Sequence, residues 1–408
     1  MLNWAKRFNI FCYLDSQQYG NDGYECLLGI DASSFIDDQS SFKEIDNFLN
    51  ASQGWSFGHL SYSLKNNFYQ LTSVKKDRIG FPDFFFFQPE ILIVLKKGEL
   101  LINAVNPGEV FFQLSNDIGI GHEKMPVDLK QGILKEEYLS IVQQLQAHIL
   151  RGDCYEINFC QEFFAENASV NAAGLFKSLL QLSPTPFSCF YRLHDRYLIC
   201  ASPERFLKKA GNKIISQPMK GTARRNLEDD KLDDQLKKTL YLDEKERAEN
   251  IMVVDLVRND LSKVCKEGTV KVEELFGVYS FPQVHQMVST VSGTLKDLIS
   301  FSEIIEATFP MGSMTGAPKH KVMQLIEDYE PIGRGLFSGS VGYIDTEGNF
   351  DFNVVIRSIL YNDATKSLSY YAGSGITFYS DAEKEWEECL LKAEAIKRVL
   401  TETPGNKR

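Results

Sequence analysis

No two of the eight cysteines, at positions 12, 26, 154, 160, 189, 200, 265 and 389, form a C-x-x-C pair. That spacing argues against a zinc site or a redox dithiol. Cys189 and Cys200 sit in apolar strand-like runs, where reduced buried cysteine is the expectation. Long hydrophobic runs are missing too. The densest, Phe84–Phe87 and Ile91–Leu95, are far shorter than a bilayer span. The stretch Met1-Leu2-Asn3-Trp4-Ala5-Lys6-Arg7 leads into mixed sequence without signal-peptide character. Positive charge is in deficit, with 44 Lys and Arg against 55 Asp and Glu and a net charge of −11. Without a broad basic face, neither nucleic acid nor an anionic membrane is an expected partner. An anionic substrate would need its charge met locally, by a metal or a few placed cations. No internal repeat or low-complexity segment is visible. A cytoplasmic globular protein is expected, and the 43% apolar and 24% charged content agrees.

The 408 residues suffice for one large domain or two ordinary ones. Residues 1–112 are strand-rich, with Ile91–Leu95 and Leu100–Ile102 reading as a hairpin across Gly98. Residues 113–130 are polar and lack periodicity, as a linker would. A larger region, 131–405, begins with a helix carrying Ile141, Leu145 and Ile149 on one face. Strands are expected at 187–193, 196–202, 212–217, 336–345, 349–361 and 367–377, and helices at 228–262, 300–308, 317–328 and 381–400. Adjacent hairpins favour antiparallel pairing over repeated βαβ units. The expected class is α+β: two large antiparallel sheets packed as a sandwich, with helices outside.

Two Glu-x-x-Glu pairs stand out. Glu246 and Glu249, like Glu385 and Glu388, are three apart on expected helices, so each pair projects from one face. Ser380 and Glu383 have the spacing of a capping box. Carboxylate oxygens completed by water and substrate are what Mg²⁺ prefers. Glutamates at this spacing on an acidic protein are, however, usually solvated surface, and Lys392 is placed to form a surface ion pair with Glu388. Lys220, in Pro218-Met219-Lys220-Gly221-Thr222, taken alone is a turn lysine. As a nucleophile it would need its amine neutral, through burial beside a dication. Gly221 would let a ligand approach the backbone closely. Glu204, after the strand Tyr197–Cys200, is a general acid, a salt-bridged partner of Arg205 or simply exposed.

Taken together the motifs are familiar. Gly152-Asp153-Cys154-Tyr155-Glu156, Ser202-Pro203-Glu204-Arg205, Pro218-Met219-Lys220-Gly221-Thr222 and Glu246-Arg247-Ala248-Glu249-Asn250 occur in order. Val254-Asp255-Leu256-Val257-Arg258-Asn259-Asp260, Phe309-Pro310-Met311-Gly312-Ser313-Met314-Thr315-Gly316-Ala317-Pro318-Lys319, Ile356-Arg357-Ser358, Ala372-Gly373-Ser374-Gly375 and Glu385-Trp386-Glu387-Glu388 follow. Over about 140–400 the chain resembles the chorismate-utilising enzymes, which include anthranilate, aminodeoxychorismate, isochorismate and salicylate synthases.

The resemblance implies Mg²⁺ held by Glu249 and Glu388, with Glu246 and Glu385 acting through water, against the ring carboxylate of chorismate. It places Ser313 and Lys392 on that carboxylate. Arg357 and the backbone N–H groups of Gly373 and Gly375 would hold the enolpyruvyl carboxylate, and Thr222 joins the substrate-binding set. Where anthranilate-forming members carry alanine, this chain has Lys220, as the aminodeoxychorismate-forming branch does. Lys220 would then attack the ring and Glu204 would protonate the departing hydroxyl. The alternative, anthranilate formation, makes Lys220 a bystander. A water-based reaction is disfavoured, because Glu156 stands where water-activating relatives have lysine. Gln286 stands where relatives have histidine and His285 is one place off, so neither is assigned a role. No cysteine lies in a glutaminase-type elbow, so a separate glutamine amidotransferase subunit would supply ammonia.

Overall fold

The computed structural model describes residues 1–17, 19, 23–51, 54–75, 77–116 and 126–401. Its strands pair antiparallel, as the hairpin pattern predicts. The two expected sheets are hydrogen-bonded into one network of 19 strands among the described residues. Two long strands, Cys26–Asp37 and Phe84–Lys96, make the join. The first half of Phe84–Lys96 pairs with Ser56–Leu60 and its second half with Glu99–Asn103. A register shift between Ala32 and Ser34 marks where the paired strands cross from one half to the other. Strands from the N-terminal hundred residues also pair with later ones: Ile10–Asp15 with Phe187–Leu193, and Ser56–Leu60 with Ser340–Ile344.

Side chains alternate between two cores. On Ile10–Asp15, Cys12 joins a cluster with Tyr191, Phe86 and Phe352 that draws on both halves of the network. Phe11 and Tyr13 point the other way, into a cluster with Tyr138, Phe176 and Trp386 beneath the helices. With both faces covered, these strands read as nearly unbroken apolar runs. The eight cysteines are all buried and unpaired. Among the described residues, no helix is long and apolar enough to cross a membrane.

Several elements depart from expectation. The helix expected at 228–262 is two, Asp230–Leu242 and Glu244–Val264. Asp243 ends the first and caps the second, accepting from the Glu246 N–H at 2.9 Å. The strand expected at 349–361 is broken into Phe350–Asn353 and Ser358–Asn362. The proposed linker contains the end of a helix, Pro107–Ser115, and the short strand Lys130–Gln131, with residues 117–125 outside the described set. Asp381 caps the helix Ala382–Thr401, accepting from Lys384 N–H at 3.1 Å, whereas the Ser380 hydroxyl accepts from the Thr377 N–H. The Ser380–Glu383 capping box is thus not formed.

Candidate active site

Lys220 lies on the short strand Met219–Arg224, which pairs with Val284–Thr294 through a register shift between Met219 and Thr222. The first acidic helix, Glu244–Val264, packs on this strand, and the second, Ala382–Thr401, packs on Ser367–Ile376. Strand Ser367–Ile376 in turn pairs with Glu156–Ala165, placing Gly375 opposite Asn158. Three β-segments and two helix faces therefore converge on one lysine.

The Lys220 side chain is turned inward, with 11% of its surface exposed. Its amine donates to Glu156 Oε1 and lies 3.7 Å from Glu249 Oε2. Burial pulls the ammonium's pKa down, but Glu156, Glu249 and Glu388 together outweigh it and hold the pKa above its ordinary value. The expectation of an amine neutralised by its surroundings is therefore not met by these carboxylates alone. The space Lys220 occupies exists because residue 375 is glycine. A Cβ there would collide with Lys220 Nζ and stand 2.8 Å from Glu156 Oε1. Gly221 has φ +90°, but what comes close to it is Glu246 Oε2, 3.0 Å from where a Cβ would sit.

Lys220, Glu204, Ser313, Arg357, Gly373 and Lys392 line one cavity. Glu204 accepts from the Ser313 hydroxyl at 2.6 Å, and burial raises its pKa to about 7 against the lowering effect of that bond. Glu204 makes no ion pair with Arg205, which pairs with Asp351 at 2.9 Å. Arg357 and Lys392 also line a second opening with Thr222, Glu246 and Glu388, so the cavity and this vestibule share a wall of two cations. Lys392 donates to Glu388 at 2.6 Å and to the Gly373 carbonyl at 3.0 Å. It is a partly buried tether between helix and strand rather than a surface pair.

The acidic residues are not solvated surface. Glu249 and Glu385 are buried, at 7% and 1% exposure. Burial, then the charges of Glu156 and Glu246, raise the pKa of Glu249 to about 7 even though Lys220 opposes the shift. Burial and the nearby Glu388 raise that of Glu246. One oxygen of Glu249 and one of Glu156 are buried without a hydrogen-bond partner. Lys245 spans the two helices, 3.1 Å from Glu385 and 3.7 Å from Glu249. Among the described residues, no three carboxylates close to metal-ligating distance. A cluster of all-oxygen donors with an unpartnered buried oxygen fits Mg²⁺, which typically takes one or two carboxylates and keeps its remaining ligands as water. Glu249, with Glu246 on the same helix, meets that description; Glu388 is engaged by Lys392 and Glu385 by Lys245, and either would have to exchange its lysine for the ion.

Two residues without an assigned role lie at the centre. Glu156 is the partner of Lys220. Gln286 lines the cavity, accepts from Arg357 at 2.7 Å and donates to Thr222 Oγ1 at 3.0 Å. Its only signal in the sequence is that it stands in the place of a histidine. His285 points away, bonding Asp233 and Ser280 inside the fold.

A family model described as chorismate binding enzyme matches residues 13–398. The chain is 33% identical over 353 residues to aminodeoxychorismate synthase component 1 of Escherichia coli, covering 85% of this chain and 77% of that one. It is 34% identical over 368 residues to an anthranilate synthase component I-like protein of Synechocystis, covering 88% and 75%. Against plant aminodeoxychorismate synthases the match spans only 30% of their length. The crystal structure of anthranilate synthase component I from Streptococcus pneumoniae superposes with a TM-score of 0.82 at 24% identity, covering 91% of this chain and 92% of that one.

Proposed function

Since the chain belongs to the chorismate binding enzyme family, we propose that it aminates chorismate at ring carbon 4. The product would be 4-amino-4-deoxychorismate, with ammonia drawn from a separate glutamine amidotransferase subunit. The observation that carries this reading is Lys220, whose amine shares a cavity with Glu204 and Arg357 and is given room by Gly375. An anthranilate-forming site has no use for an amine there.

In the proposed reaction, Lys220 passes a proton to Glu156, its hydrogen-bond partner, and the freed amine Nζ bonds to ring C2 while the C4–O bond breaks. Glu204, neutral below about pH 7, gives its proton to the departing hydroxyl, which leaves as water. Ammonia then bonds to C4 as the C2–N bond breaks; the new ammonium returns a proton to Glu204, and the expelled Lys220 amine takes its proton back from Glu156. Two allylic displacements thus replace one difficult direct substitution. Mg²⁺, held by Glu246, Glu249 and Glu388, would supply positive charge against the ring carboxylate and the clustered acids. Ser313 keeps Glu204 oriented, and Arg357 and Lys392 meet the substrate's negative charge.

Names among the relatives favour two activities, so the product decides. Chorismate incubated with ammonium and Mg²⁺ is expected to be consumed without anthranilate fluorescence. Addition of an aminodeoxychorismate lyase should then release p-aminobenzoate. Fluorescent anthranilate formed without the lyase would overturn the assignment in favour of anthranilate synthesis.

A further inference from the structure

We propose that Gln286 is a positioning residue: it aims the Arg357 guanidinium at the substrate's enolpyruvyl carboxylate, and it is suited to this by being uncharged. This inference rests on the chorismate reading above and adds a residue to which that reading gives no part.

The backbone sets up the pairing. Gln286 and Thr222 are register partners on adjacent antiparallel strands, so their side chains leave the same face side by side. On its other flank the strand holds Gln286 opposite Tyr279. Fixed between two neighbours, the amide donates to Thr222 Oγ1 at 3.0 Å. The guanidinium can only donate, so it is Arg357 Nη2, 2.7 Å away, that fixes the amide oxygen on its side and leaves the nitrogen for the Thr222 hydroxyl. Arg357 comes from the break between Phe350–Asn353 and Ser358–Asn362, with φ +50°. A non-glycine residue in that region is strained, and such strain is retained where it aims a functional group.

The charge arithmetic is specific. Burial lowers the Arg357 pKa to about 10, so it stays a cation at neutral pH. Among the described residues it forms no ion pair with any carboxylate. Guanidinium groups withdrawn from water are ordinarily paired; here the acceptor bonded to Arg357 is the neutral Gln286 oxygen, and Glu204, on the same cavity, acts on it without a direct bond. The amide fixes the direction of the fork without cancelling its charge, which leaves the remaining N–H groups for a carboxylate delivered by the ligand. A glutamate at this position would pair with Arg357 itself and compete with the substrate. An alanine would leave the guanidinium unaimed.

The test is calorimetric titration of the full-length protein with chorismate in the presence of Mg²⁺, and with the chorismate monoester blocked at the enolpyruvyl carboxylate. For Gln286→Ala we expect chorismate to bind about tenfold more weakly, and for Gln286→Glu about a hundredfold, each factor of ten being about 1.4 kcal/mol. The monoester should bind the wild-type protein weakly, and both variants should bind it within about twofold of wild type, since it lacks the group that Arg357 grips. In turnover with ammonium, the loss should fall on KM more than on kcat. Variants that bind chorismate like wild type overturn the proposal. So does an equal loss for chorismate and its ester, which would make Gln286 merely structural. A wild-type protein that binds no chorismate overturns the functional reading itself, and this one with it.

Discussion

Lys220 and Glu204 share a cavity while their surroundings favour opposite charge states for the two proton carriers. Glu204, buried and held near pH 7, is neutral on the acid side of that value. If it is the proton donor, turnover must fall as pH rises through about 7. Glu204→Gln should lower kcat by about 10²–10⁴-fold and remove that alkaline limb; a limb that survives in the variant points to another acid. Lys220 is held charged by three carboxylates. Lys220→Ala should abolish amination, and it should also unsettle the fold, because it strips a buried cluster of acids of a counter-charge. Comparing melting curves with activity separates the two effects. Unchanged amination by a folded Lys220→Ala protein would refute the covalent step.

At the scale of elements, the strand Ser367–Ile376 governs the lysine by what it omits. Gly375 lies outside the left-handed region, so its backbone accepts alanine. The added Cβ would meet the tip of Lys220, a flexible side chain that is able to move. Gly375→Ala displaces the amine and crowds Glu156 Oε1 but keeps the counter-charge nearby, so it is expected to lower the melting temperature less than Lys220→Ala does while cutting amination as steeply; an equal loss of stability in the two variants would assign the glycine to packing alone. Element boundaries were legible where pattern and burial agree: Phe187–Leu193 and Arg196–Ser202 are the predicted strands residue for residue. Two of the misreadings lie next to the site. Val354-Val355-Ile356 is as apolar and β-branched as any strand, so nothing local announces the break that brings Arg357 to the cavity. Asp243 likewise sits between two helical patterns, and only its cap shows where one ends. Glu156 and Gln286 carried no positive signal, since their importance arises from partners 64 and 71 residues away.

For the molecule as a whole, the net charge of −11 is concentrated functionally where the two acidic helices meet. The folded-state pKa of Glu249 is raised to about 7 from the ordinary 4.5, and burial is the first cause. A raised carboxylate contributes stability that is fully present below the unfolded value and is lost as pH climbs through the folded one. In chelated buffer the protein should thus melt at progressively lower temperature between about pH 5 and pH 8. If Glu246, Glu249 and Glu388 hold Mg²⁺, adding the ion near pH 8 should restore the melting temperature, by mass action on the folded state. Glu249→Gln removes the titrating charge. Its melting temperature in chelated buffer should exceed that of wild type at pH 8, change less with pH and respond less to Mg²⁺, while amination is lost. Stability gained where activity vanishes is the signature of acids kept together for a ligand rather than for the fold. Differential scanning calorimetry across this pH range, with and without Mg²⁺, makes the comparison. A variant that melts below wild type at pH 8 and responds fully to Mg²⁺ would remove Glu249 from the metal site and leave its buried carboxylate a structural partner of Lys220.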